Sequence, residues 1–397
     1  MSPVHVSRLA QLPDPYRVER CRRNPELGPR ILFFSGGSAL RSLSQVLKLY
    51  THNSIHLITP FDSGGSSAHL RKAFQMLSVG DLRNRLMALA DESLQGNPAI
   101  YALFSHRFSQ QARQNELVTR LTSMVHGDDI LIQSIPAPMR QLIQTHLRLF
   151  LENMPSSFDL RGASIGNLLL AGGYLHHKRD MDAVIYMFSK LVEVRGLVLP
   201  IVDVDLHLSA TLEDGSRIVG QHELTGKERP KLASKVKELG LVKSLHQPIT
   251  AEVTIPSKVV DLIQSAEVIC YPMGSFYSSL LANLLPKGVG KAIVNAHCPK
   301  VFIPNMGEDP EQIGMRLSDS VATLLRQLRK DADGEYEAKD LVAFVLVDRQ
   351  NGNYAMEIDL ANVEKLGVKV IDVDLTDRSE DFMVEPTKLT EILVSMA

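Results

Sequence analysis

Two periods of apolar residues alternate along this chain. The unbroken apolar runs at 31–34 and 55–58 have the length of strands buried on both faces. Helical spacing follows each of them: Leu40, Leu43, Val46, Leu47 and Tyr50 on a helix over 38–50, then a second helix over 68–77. That βαβα succession predicts a parallel sheet. Between 80 and about 150 the pattern is helical, over 81–90, 110–125 and 138–151, with one short strand candidate at 130–133. A small-residue apolar helix opens near 164 and, lacking a polar face, is expected to be buried.

The period then changes. Over 202–212 Val204, Leu206 and Leu208 fall on one face and Asp203, Asp205 and His207 on the other, with a hairpin turn at Asp214-Gly215. The charged run 227–243 reads as a solvated face. A helix over 257–265 leads to a strand over 267–271 and a helix over 276–285, stopped by Pro286. A strand over 291–295 is expected next, then a helix over 311–328 capped by Asp309-Pro310. The tail repeats the logic with strands at 341–347 and 368–373, a helix over 360–366 closed by Gly367, and a helix from 388. Together these predict one α/β domain over 30–397, a doubly wound, Rossmann-like parallel sheet with a helical insertion at about 80–160. An irregular proline-rich arm over 1–29 precedes it, as a surface extension or a dimer-exchange arm.

Composition narrows the class. With 397 residues, 44% hydrophobic and 22% charged, the chain has the make-up of a globular enzyme. A net charge of −2 argues for neither nucleic acid nor an anionic membrane. Arg17, Arg20, Arg22 and Arg23 read as a solvated cluster on the arm. Cys21, Cys270 and Cys298 have neither metal-ligand spacing nor a disulfide framework. No signal core and no long uncharged run is present, so the expectation is a cytoplasmic protein.

Candidate chemistry clusters where strands end. The first strand runs into Gly36-Gly37-Ser38, and the second into Asp62-Ser63-Gly64-Gly65-Ser66-Ser67. Glycine-rich turns opening helices cradle phosphate, because free N–H groups and the helix dipole face the ligand. A carboxylate there repels a bare phosphate, so Asp62 suggests Mg²⁺ or an activated hydroxyl beside it; the alternative is a simple helix cap. Neither loop is G-x-G-x-x-G or a Walker loop. Asp81, Arg83 and Asn84 on one helical turn either cap a helix or hold a metal and a phosphoryl oxygen. Asn167, inside an apolar helix, needs a ligand or a backbone carbonyl as partner. A third strand–turn–helix junction carries Gly274, Ser275, Tyr277, Ser278 and Ser279 at a strand's carboxyl end. Asp203, Asp205 and His207 form either a metal site or a solvated hairpin face. His176-His177 and His297-Cys298 lack partners at useful spacing, and no histidine is marked out as a triad base.

These segments together resemble the 2-phospho-L-lactate transferase family, including its bacterial branch of gluconeogenesis factors. Gly36-Gly37-Ser38-Ala39-Leu40 is similar to Gly-Gly-Thr-Gly-Leu, and 59–67 to Thr-Val-Ala-Asp-Asp-Gly-Gly-Ser-Ser, with Arg71 following as in the bacterial branch. Gly80-Asp81-Leu82-Arg83-Asn84 matches Gly-Asp-Ile-Arg-Asn. Residues 162–170 resemble Gly-His-Ser-Leu-Gly-Asn-Leu-Leu-Leu, and 273–285 resemble Pro-Gly-Ser-Leu-Tyr-Thr-Ser-Ile-Leu-Pro-Asn-Leu-Leu. The likeness covers about 30–310 in the right order.

The resemblance implies a Mg²⁺-assisted transferase that takes a phosphoryl-linked group from a nucleoside diphosphate donor to an acceptor hydroxyl. Its alternative is a non-catalytic binder of nucleotide sugars or dinucleotides that regulates carbon metabolism or the cell envelope. By resemblance Asp62 and Asp81 hold the metal, and Gly36, Gly37 and Ser38 cradle the diphosphate. Gly64, Gly65, Ser66, Arg83 and Asn84 complete the donor site, while Asn167, Gly274, Ser275 and Tyr277 shape the nucleotide or acceptor pocket. A homodimer is expected. Ser63 replaces the family's second Asp, Ala163 its His, and Pro272-Met273 its Gly-Pro.

Overall fold

The computed structural model describes residues 9–93, 96–225, 232–246, 248–376 and 383–397. Its strands in chain order are β1 (Ile31–Ser35), β2 (Ile55–Ile58), β3 (Leu197–Pro200), β4 (His207–Leu212), β5 (Arg217–Val219), β6 (Val236–Val242), β7 (Thr250–Ala251), β8 (Val268–Tyr271), β9 (Lys300–Phe302), β10 (Phe344–Val347) and β11 (Lys369–Asp372). Seven of them form one sheet in the order β11-β10-β9-β8-β1-β2-β3, every pair parallel. β1, β2, β8 and β9 are buried along their whole length, which is why β1, β2 and β8 read as largely apolar runs. Sequence order reverses between β1 and β8. In a doubly wound sheet the crevice outside the strands' carboxyl ends at that reversal is the place for a ligand.

The helices of the first half are α1 (Pro15–Arg23), α2 (Arg41–Leu47), α3 (Gly65–Phe74), α4 (Gly80–Leu89), α5 (Pro98–Ser105), α6 (Gln114–His126), α7 (Ile130–Gln133), α8 (Met139–Asn153), α9 (Ile165–His176) and α10 (Met181–Leu191). Those from α4 to α10 lie between β2 and β3 and build a second apolar core around Leu86, Phe104, Leu121, Leu147 and Phe188. The helical insertion is thus a lobe with its own core, continuous with the sheet through Ile58 and Val198. The four remaining strands pair antiparallel in the order β5-β4-β6-β7. Among the described residues no helix is long and apolar enough to cross a membrane.

Several expected elements differ. Residues 130–133 are helical, because Asp129 caps the turn by accepting from Leu131 N. Residues 291–295 fall on the helix Val289–Val294, and the strand is β9, just beyond it. The run 236–242 is strand, its exposed Lys237 and Glu238 concealing a buried face of Val236, Leu239 and Leu241; residues 227–231 lie outside the described residues. β4 begins only at His207, so Asp203 and Asp205 precede the strand and share no strand face with it. Instead Asp205 pairs with Arg71, and Asp203 accepts from Met181 N. The arm is not irregular throughout: α1, capped by Asp14, docks on the helix Pro386–Met396. Arg17 donates from Nη1 to the carbonyls of Ser395 and Ala397. Its charge therefore serves a contact within the chain.

Candidate functional site

At the reversal between β1 and β8 opens a cavity of about 320 Å³. It is lined by the loop after β1 (Gly36, Gly37, Ser38), the loop after β2 (Asp62, Gly64, Gly65), α4 (Asp81, Asn84) and the loop after β8 (Gly274, Ser275). Segments spread over 240 residues thus meet because parallel strands deliver their carboxyl-end loops to one edge of the sheet.

The first loop is shaped by close approach. A Cβ on Gly36 would lie 2.3 Å from Ser279 Oγ, and one on Gly37 2.3 Å from Asp81 Oδ1. Helix α2 starts at Arg41, three residues later than expected, so residues 36–40 are a free loop rather than the helix's first turn. Its carbonyls are held from behind. Arg85, fully buried, donates from Nη1 to Leu40 O (2.7 Å) and Ser44 Oγ (2.5 Å), and from Nη2 to Gly36 O and Gly37 O (both 3.2 Å). Burial pulls the Arg85 guanidinium down to about 10, still fully charged at neutral pH. With the carbonyls of Gly36, Gly37 and Leu40 held by Arg85, and that of Ser38 accepting from Arg41 N, the loop turns its N–H groups rather than these carbonyls to the cavity.

A second buried arginine organises the next loop. Arg71 Nη1 donates to Phe61 O (3.2 Å) and Asp62 O (3.0 Å), while Nε and Nη2 grip Asp205 Oδ1 at 3.0 and 2.6 Å. Asp62 Oδ1 accepts from Gly64 N at 3.0 Å, a local turn that fixes the carboxylate. Its Oδ2 stands 3.7 Å from where a Cβ on Gly80 would be, beside the start of α4 that carries Asp81. Both carboxylates therefore face one cavity.

Ser63, at the position of the family's second Asp, is buried and bonded to His222 Nδ1 at 2.8 Å, while His222 Nε2 sits 3.1 Å from Glu223 Oε1. His222 lines the cavity. Nothing in the sequence signals this histidine, since it meets Ser63 across 159 residues.

The loop after β8 uses its donors differently. Phe276 N donates to Asp309 Oδ2, and Tyr277 N and Ser278 N both donate to Glu311 Oε2, each at 2.8 Å. The Phe276–Leu281 segment is a π-helical stretch whose first amides are thus already occupied. This junction is no second phosphate cradle. Gly274, at φ +139°, is tied through its N–H and carbonyl to Asn305, and the loop offers the cavity a shaped wall.

Four expected site residues lie outside the cavity lining. Tyr277 is buried toward β6, its hydroxyl 3.5 Å from Val236 O. Arg83 is buried and donates to Ser164 Oγ (2.7 Å) and Asn84 Oδ1 (2.5 Å), orienting Asn84. Asn167 donates to Ser66 Oγ at 3.4 Å, with its own Oδ1 unpartnered. Ser66 borders a neighbouring cavity with Arg107 and Arg161.

Burial, reinforced by Asp309, raises the fully buried Glu311 to about 7. A carboxyl whose folded pKa exceeds its unfolded one binds a proton preferentially in the folded state, so its contribution to stability falls as pH rises from about 4.5 to 7. Glu311→Gln should flatten that decline in urea unfolding measured from pH 5 to 8; an unchanged slope would remove Glu311 as its source.

A family model described as 2-phospho-L-lactate transferase CofD matches residues 31–376. A gluconeogenesis factor from Bacillus subtilis is 26% identical, covering 93% of this chain and 98% of its own length. A putative gluconeogenesis factor from Nostoc sp. is 27% identical over 92% of this chain and 68% of its own. A crystal structure of a UPF0052 family member from Bacillus halodurans superposes with a TM-score of 0.68 at 25% identity, covering 92% and 99% of the two chains. The parallel sheet with its carboxyl-end loops and the match over nearly the whole length agree: this chain belongs to the 2-phospho-L-lactate transferase CofD family.

Proposed function

We propose that the cavity binds a nucleoside diphosphate-linked donor and that the protein transfers a phosphoryl-linked group from it to an acceptor hydroxyl. The observation that carries this reading is the loop 36–40, whose Gly36, Gly37 and Leu40 carbonyls are drawn back by Arg85 and which faces two carboxylates. N–H groups alone would suit an anion, whereas Asp62 and Asp81 beside them call for a cation between. Two carboxylates suit Mg²⁺, which completes its shell with water and phosphate oxygens. Such an ion would supply charge neutralisation at the phosphoryl oxygens. The N–H groups of Gly36, Gly37 and Ser38 would hold the same oxygens as charge develops. Asp62 Oδ2, with no hydrogen-bond partner among the described residues, would bind the cation or take the acceptor hydroxyl's proton. His222 is a further polar group on the wall, its tautomer set by Glu223.

Incubation with guanosine or uridine diphosphate donors, Mg²⁺ and an acceptor should release the nucleoside monophosphate. One observation favours a second reading, a nucleotide-sugar or dinucleotide sensor: Ser63 stands where the family has a carboxylate and spends its hydroxyl on His222. Saturable nucleotide binding with no product would select the sensor; no binding at all would sink both. Gly37→Ala should weaken nucleotide binding about tenfold or more, because the new methyl displaces Asp81, and overpacking of this kind costs about 1–3 kcal/mol. Calorimetric titration would measure it.

A further inference from the structure

At the far end of the helical lobe, three histidines come together. His146 lies on α8, His176 is the last residue of α9, and His177 follows it. One ligand nitrogen from each lies within 4.8 Å of the other two, the one cluster of three or more such groups among the described residues. The ring centroids are 5.5 Å apart for His146 and His176, 5.9 Å for His146 and His177, and 4.9 Å for His176 and His177. The spacing in sequence concealed this, because His146 arrives from another helix.

The packing holds the first ligand in place. α8 and α9 approach so closely at Gly172 that a Cβ there would sit 2.0 Å from His146 O, and one on Gly173 would sit 3.0 Å from His146 Nδ1. Two consecutive glycines thus make the seat for the imidazole. His146 is 1% exposed, and its Nε2 has no hydrogen-bond partner. A buried ring nitrogen left bare is destabilising unless something pairs with it. His176 is exposed and His177 half-buried.

The surroundings favour a cation as well. The carbonyl end of α9 points its partial negative charge at the cluster. Arg179 is drawn away, donating to Phe74 O and Gln75 O and lying over the Tyr174 ring.

We infer that His146, His176 and His177 form a site for a borderline divalent transition metal, Zn²⁺ first, with a fourth position open to solvent. Three imidazoles suit zinc, nickel or copper and exclude magnesium or calcium, which prefer oxygen. Tetrahedral zinc at about 2.0–2.1 Å from each nitrogen brings the nitrogens to roughly 3.3 Å of one another. Rotation of the exposed His176 closes that gap. The site lies nine residues along α9 from Asn167, about 14 Å at 1.5 Å per residue, and shares no residue with the cavity lining.

Untagged full-length protein, stripped with chelator and dialysed, would be titrated with ZnCl₂ and followed by calorimetry, with CoCl₂ absorption reporting nitrogen ligation. One equivalent should bind, and His176→Ala and His177→Ala should each weaken it about tenfold or more. His176 is exposed and His177 half-buried, so thermal unfolding without metal should change little, whereas zinc should raise the melting temperature of the parent and not of the double variant. Asp62→Asn should bind zinc here as the parent does, which separates this site from the nucleotide cavity. Failure of the parent to take up zinc at micromolar concentration, or undiminished binding by the double variant, would overturn the assignment.

Discussion

Asp62→Asn should reduce nucleoside monophosphate release by about 10²–10⁴-fold, the range for removal of a positioned acid–base or metal-binding carboxylate. The amide keeps the shape of the side chain, and its oxygen can still accept from Gly64 N, so the turn survives. What changes is Oδ2, the atom facing the start of α4 and Asp81. Melting temperature should therefore stay close to that of the parent, while the Mg²⁺ dependence of nucleotide binding weakens. Turnover equal to the parent's would remove Asp62 from the mechanism. A variant that binds nucleotide normally, from a parent with no turnover, would instead favour the sensor.

Arg85→Met should cost about 2–4 kcal/mol of stability and abolish nucleotide binding at temperatures where the variant is still folded. Methionine fills much of the same space, so a simple cavity is avoided. The loss comes from the carbonyls of Gly36 and Gly37 and the Ser44 hydroxyl, which Arg85 alone satisfies, and from its bond to Leu40 O, which also accepts from Ser44 N; bonds to a charged donor are worth about 1.5–3 kcal/mol each, offset by relief of a buried charge. The released carbonyls of Gly36 and Gly37 can then turn toward the cavity, where they repel phosphate. Urea unfolding and nucleotide titration check the two halves separately. Unimpaired binding by a destabilised variant would show that Arg85 supports the fold and does not aim the loop.

Much of the architecture was legible because it rests on local pattern. Ile31-Leu32-Phe33-Phe34, bounded by Pro29 and by glycines, reads as a strand covered on both faces, and those glycines mark a tight turn wherever the strand lies. The misread segments have two causes. Residues 291–295 and 130–133 are apolar runs too short for periodicity to separate helix from strand. Over 236–242 the buried Val236, Leu239 and Leu241 were masked by the exposed Lys237 and Glu238 between them. At the site, Asp62, Asp81 and the glycines stood out since each breaks a local rule. Arg71 and Arg85 are otherwise ordinary arginines on helices, and their importance comes from burial against backbone carbonyls.

Sequence alone therefore determined that parallel strands end in glycine-rich turns with acids beside them, since chain stiffness and hydrophobic period act over a few residues. Only the tertiary structure decided which turns keep free N–H groups. The amides after β8 are spent on Asp309 and Glu311, while those after β1 remain, and that difference is made by side chains contributed from distant segments. It likewise decided that Ser63 meets His222 and that His146 meets His176 and His177. Such meetings depend on how helices cross, a geometry set by the summed packing of two cores and written at no single position.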